Sequence, residues 1–173
     1  DQMQMDQSAE DIKLIRQLLE NLVKLSFDQE QVMKELQKTE TESPKYVQLM
    51  QRQQDLKEDA QMIGDSLQSL GKRQFQLQNF ISDEMYKLNR EMAKALDNLE
   101  ERFKSQAAVA QQFVMTSTNN LALMLSESLD NLQMQMNQMK QSQPGSGQCK
   151  KPGPGSKPSM QQLQKELGDQ LNQ

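Results

Sequence analysis

At 173 residues the chain is long enough for one domain with its own core, yet it is polar: 35% apolar, 25% charged, with a mean hydropathy of −0.87. A net charge of −4 and a pI near 5.0 argue against nucleic acid as the main partner, because neutralising phosphates needs a basic face. No apolar run approaches the length of a membrane span, and with no histidine the commonest general base and zinc ligand is missing.

Gln, Leu, Lys, Glu and Met dominate, aromatics are 4%, and Trp is absent, so the composition favours helix over sheet. The single cysteine, Cys149, excludes an internal disulfide. A start at Asp1 and an end part-way through a helical pattern are what a piece of a longer protein would show.

Residues 1–7 carry no periodicity and are expected to fray or to extend the first helix. Ser8 with Asp11 has the spacing of a capping box. From there to about Lys38, Ile12, Ile15, Leu19, Leu22, Met33 and Leu36 recur at helical spacing, interrupted by Ser26 and Gln29. Leu14, Leu18, Leu25 and Val32 widen that stripe to the breadth a bundle helix needs. Thr39 to Ser43 reads as a loop, and Ser43-Pro44 as a helix start, an N-cap followed by proline at the first helical position.

The second helix is predicted from Pro44 to about Leu70, with Tyr46, Leu49, Gln53, Leu56, Ala60, Ile63, Leu67 and Leu70 in an unbroken stripe and Gly71 as its C-cap. Residues 72–81 admit two readings, a connection packed by Phe75 and Phe80 or a helical continuation. Ser82, followed by Asp83 and Glu84, predicts a fresh start there, stapled by Ile81 and Tyr86. Met85, Leu88, Met92, Ala95 and Leu99 carry the third helix towards Lys104. Ser105 to Ala110 is either a short turn or a junction into the fourth helix.

Thr116 to Lys140 is the centre of the reading, because it holds the longest apolar run, Leu121 to Leu125. Val114, Ser117, Leu121, Leu125, Ser128, Leu132, Met136 and Met139 share a face. A run apolar on every side predicts a helix surrounded by others. The preceding Thr116 to Asn120 has weak helix propensity; it marks a kink or new N-cap, or else a polar notch fixing a partner's register. Residues 141–158 hold most of the prolines and glycines and read as a flexible linker. Residues 159–173 read as a short docking helix marked by Met160, Leu163 and Leu167, too short to stand alone in water.

The fold expected is therefore all-α: an antiparallel, four-helix-like bundle over 8–140, or an elongated coiled-coil array, followed by the linker and the short helix. Cys149 sits among Pro, Gly and Lys with no base in reach, so it reads as an incidental exposed thiol, with an intermolecular disulfide as the alternative. Met3 and Met5, and Met134, Met136 and Met139, look like thioether sites for cuprous or silver ions, although Met also fills cores and adaptable surfaces. Acidic pairs such as Glu100-Glu101 lie beside Arg102 and Lys104 and read as a solvated face. No phosphate-cradling, dinucleotide-binding or nucleophile-elbow motif occurs.

The segments LSFDQEQVM (Leu25 to Met33), the Pro44-led helix, LALMLSESLDNLQMQM (Leu121 to Met136) and GQCKKPG follow one another in this order. That order resembles the C-terminal helical region of large bacterial envelope proteins of unknown function, of the type found in Bacteroidetes. The resemblance implies membrane tethering elsewhere in such a protein and a role in the cell envelope, and it brings no catalytic residues. The function expected is a non-enzymatic interaction or scaffold module without a cofactor. It would act through a protein partner or self-association, with Leu121, Leu125, Leu132, Met136, Met139, Met160, Leu163 and Leu167 as the contact face. The alternative is a periplasmic soft-metal binder using the Met clusters.

Overall fold

A computed structural model of the chain describes residues 1–142. They form four α-helices: α1 (Gln2–Gln37), α2 (Pro44–Arg73), α3 (Phe75–Glu100) and α4 (Lys104–Ser142). Each packs on its sequence neighbours, and α4 closes the ring against α1. Gln29 meets Gln53, Gly64 lies against Met85, and Lys104 reaches Thr39, so every neighbouring pair runs antiparallel. The architecture is an up-down-up-down four-helix bundle. The expected linker and docking helix beyond Ser142 lie outside the described residues.

The stripes read from the sequence supply the core. Ile15, Leu22, Leu67, Leu70, Leu88, Met92, Leu99, Leu121 and Leu125 are all but fully buried. Each such side chain contributes roughly 1.5–3 kcal/mol relative to an exposed position. At the predicted start of α2, Ser43 accepts a hydrogen bond from the Lys45 N–H at 3.2 Å, with Pro44 at the first position.

Four boundaries differ from expectation. Ser8 is not a cap, because α1 already begins at Gln2. Asp11 is instead buried, 2.8 Å from Arg73 Nε and 2.9 Å from Gln74 Nε2, and this clamps α1 to the α2–α3 corner. Gly71 is not a C-cap: the helix runs through it to Arg73. A Cβ there would lie 3.4 Å from Gln78 Cα, so the glycine sits where α2 and α3 approach closely. The fresh start at Ser82 does not occur. α3 begins at Phe75, after the single non-helical residue Gln74, and Phe75 and Tyr86 are exposed rather than packing the connection or stapling a cap.

The α3–α4 turn falls at 101–103 rather than in Ser105 to Ala110, which is helical. Phe103 N–H donates to Asn98 C=O at 2.8 Å and Arg102 N–H to Leu99 C=O at 3.1 Å, with Arg102 at φ 62°. That pattern is a Schellman motif with arginine at its left-handed position. Thr116 to Asn120 neither caps nor breaks α4. Thr118 Oγ1 donates back to Val114 C=O at 2.7 Å, so its hydroxyl is satisfied inside its own helix.

Candidate functional site

α4 is the least amphipathic of the four helices. Its inner face (Val114, Ser117, Thr118, Leu121, Leu125, Ser128, Leu132) is buried against α1 and α3. Leu121, Leu125 and Leu132 are thus occupied by the molecule's own core and cannot meet a partner while the bundle is closed. Nor is Leu121 to Leu125 surrounded by helices: Leu123 is 66% exposed. The run is apolar all round because α4 carries apolar residues on two faces, one in the core and one on the surface.

That outer face is the candidate site. Between Lys104 and Glu127 there is no charged residue, the longest such stretch in a chain that is 25% charged. Val109 is 53% and Phe113 54% exposed, and with Thr116, Asn120 and Leu123 they follow one another at alternating four- and three-residue steps. This is heptad spacing, with a short polar pair at the middle of the seam. The flanking Gln106, Gln112, Asn119 and Ser126 are exposed and neutral. Isolated exposed apolar residues such as Phe27 and Met62 on the other helices are ordinary. A heptad-spaced row without charge to solvate it is not. Helical periodicity alone missed this face, because the buried stripe dominates the pattern. The missing charges between Lys104 and Glu127 were the signal that would have found it.

Two further clusters were separated in sequence and meet in the fold. Gln29, Gln53 and Gln111 from α1, α2 and α4 form a buried polar layer with Met92 of α3. Gln29 and Gln53 exchange two amide hydrogen bonds at 2.7 Å, Gln111 Nε2 donates to Gln53 Oε1 at 2.9 Å, and Gln53 Nε2 lies 3.3 Å from Met92 Sδ. Sealed among four helices, this layer is a register element with no access for a substrate.

The second cluster is at the open end. The antiparallel packing of α1 on α4 brings Met3 and Met5 to the same end of the bundle as Met134, Met136 and Met139. Met5, Met136 and Met139 are half-buried, and Met136 packs on the core.

The α1–α2 groove of about 330 Å³ is lined by Asn21, Lys24, Asp28, Asp59 and Met62. Lys24 and Asp28 pair across one helical turn at 2.7 Å, and that hydrogen bond raises the Lys24 pKa above its ordinary value. Arg52 holds Glu35 at 3.1 Å, with Lys45 at 3.6 Å, and its hydrogen bond lowers the Glu35 pKa. Among the described residues no group of three His, Cys, Asp or Glu stands together as metal ligands, and no helix is long and apolar enough to cross a membrane. Cys149, Met160, Leu163 and Leu167 lie outside the described residues.

No family model, curated protein or solved structure matches this chain.

Proposed function

We propose that this chain is a non-enzymatic interaction module that works by helix–helix association through the outer face of α4. The observation that carries this reading is the uncharged, heptad-spaced row Val109, Phe113, Thr116, Asn120 and Leu123 on the surface of an otherwise charged bundle. Covering Phe113 and Leu123 with a partner helix removes apolar area from water, at roughly 25 cal/mol per Å². No charge on the face has to be desolvated to do so. The scaffold role in a larger, membrane-tethered bacterial envelope protein is part of the same proposal and is supported by the order of sequence motifs alone.

The test is a photo-cross-linking residue at position 113 in the full chain, produced in its own cells, with the same residue at exposed Glu58 on α2 as control. Discrete protein adducts at 113 that vanish when Leu123→Glu is added support the reading. Identical patterns at 113 and 58 overturn it.

A second reading, soft-metal binding, is supported by the gathering of Met5, Met136 and Met139 at one end of the bundle. Thioethers prefer cuprous and silver ions, and Leu substitutes for Met at nearly constant volume. Silver titration is then expected to show a site in the parent chain that weakens about tenfold or more, 1.4 kcal/mol, in the triple Met→Leu variant. Equal affinity in both chains removes this reading.

A further inference from the structure

Resting on the soft-metal reading, we propose that Met5 of α1 and Met136 and Met139 of α4 form one thioether clasp. In it a single soft monovalent cation, cuprous or silver, bridges the two helices and locks the open end of the bundle.

The register of α1 on α4 brings these side chains together. Near the other end, Met33 and Leu36 of α1 line one groove with Ala108 and Gln111 of α4. In an antiparallel bundle each heptad along one helix is matched by a heptad back along its neighbour, on the same face. Four heptads before Met33 and Leu36 stand Met5 and Ser8, and four heptads after Ala108 and Gln111 stand Met136 and Met139. Burial points to the same four independently. In 1–10 the half-buried residues are Met5 and Ser8, and in 134–142 they are Met136 and Met139.

This end is also open to an ion. Asp11 is bonded to Arg73 and Gln74, where α2 gives way to α3, so α1 before Asp11 runs past both of those helices. Among the described residues, α1 and α4 have only each other there. A two-helix layer cannot seal its side chains from water, and here the layer is built of methionine. Met85 and Met92, inside the four-helix core, are 4% and 0% exposed and out of an ion's reach. Met3 shares its stripe with Glu10 and Lys24, and Met134 shares its stripe with Glu127. At 86% and 62% exposed, both face water and stand outside the clasp.

Thioethers are soft, neutral ligands that select cuprous or silver ions over hard cations. Unbranched Met side chains on helices about 8–10 Å apart have the reach and freedom to converge on one ion. An ion held between α1 and α4 binds only while the end is closed, so it suppresses local opening by a factor of 1 + [L]/Kd.

The probe is silver ion, and the protein is the full chain carrying Cys149→Ser, which removes the competing thiol. Calorimetric titration reads binding, and amide hydrogen exchange reads the helix ends. At free silver one hundred times Kd, exchange in 2–9 and in 134–142 is expected to slow together, up to about hundredfold, with no change around Gln29 and Gln53. Met5→Leu alone is expected to weaken binding about tenfold or more and to cancel the protection of both segments. Leu keeps nearly the volume of Met, so the bundle persists. Met3→Leu combined with Met134→Leu is expected to change neither readout.

Protection of 134–142 alone, or protection that survives Met5→Leu, overturns the clasp and leaves an ion held by α4 by itself. Loss of binding in the Met3, Met134 double variant overturns it equally. No silver binding in the Cys149→Ser chain ends the clasp and the soft-metal reading together.

Discussion

Gln53 is the residue on which the interior is most exacting. Its amide joins α1 to α2 through Gln29 and α2 to α4 through Gln111, all fully desolvated. Gln53→Leu leaves two buried amides without a partner, and urea denaturation is expected to show a loss of about 2–4 kcal/mol. Changing Gln29, Gln53 and Gln111 together to Leu removes the orphaned groups and is expected to recover most of that stability. A single Gln53 variant as stable as the parent would mean that water enters the layer. Tyr46 makes another long-range polar contact, donating to Leu99 C=O at 2.6 Å from a buried site. Burial raises its pKa above the ordinary value near 10.0. Because the folded value is the higher, its stabilisation is fully present below pH 10.0 and is lost as pH rises through the folded value. Tyr46→Phe should cost about 1 kcal/mol at neutral pH and flatten the alkaline fall in stability, read as the melting temperature across a pH series.

At the scale of the helix, two positions discriminate between capping and packing. Gly71 lies inside α2, so Gly71→Ala is expected to stabilise by about 1 kcal/mol through helix propensity, with Gln78 Cα at ordinary contact distance from the new methyl. The same change at a true left-handed cap would destabilise, so the sign alone decides. Arg102 holds that left-handed conformation at φ 62°, and its ion pair with Glu42 is exposed and contributes little. Arg102→Gly should therefore stabilise by about 1 kcal/mol, and a loss would assign Arg102 a role beyond the turn. Helix identity was legible in the sequence because three- and four-residue steps are a local property of the chain. The boundaries were not. Ser8, Gly71 and Ser82 each carry the chemistry of a helix end, and each lies inside a helix instead. Near Ser8 the Asp11 clamp joins residues more than sixty apart, and at Gly71 the chain turns back at once so that α2 meets the start of α3 at Gln78.

The bundle as a whole is stabilised unevenly. Burial in α1 starts at Asp11 and in α4 stops at Leu132, so the first turns of α1 and the last turns of α4 stand beyond the full four-helix core. Hydrogen exchange is expected to open residues 2–9 and 134–142 at roughly 0–2 kcal/mol, while amides around Gln29 and Gln53 exchange only on global unfolding. Equal protection at both ends of α4 would show that something else covers its open end. The sequence by itself determined that the chain is helical, that Ser43-Pro44 opens a helix, and most of the apolar stripe that the first three helices turn inward, though not Asp11, Leu77 or Leu96. A helix that buries one stripe writes that stripe at period 3.6. Only the tertiary structure decided the division of α4, where Leu121 to Leu125 is apolar all round and no periodicity says which side is core. It took the neighbouring helices to place Leu121 and Leu125 inside and leave Val109, Phe113 and Leu123 facing water. The meeting of Asp11 with Arg73, and of the two Met clusters at one end, likewise depended on where the chain reverses. Side chains dozens of residues apart are brought together by turns, and residue spacing carries no record of that.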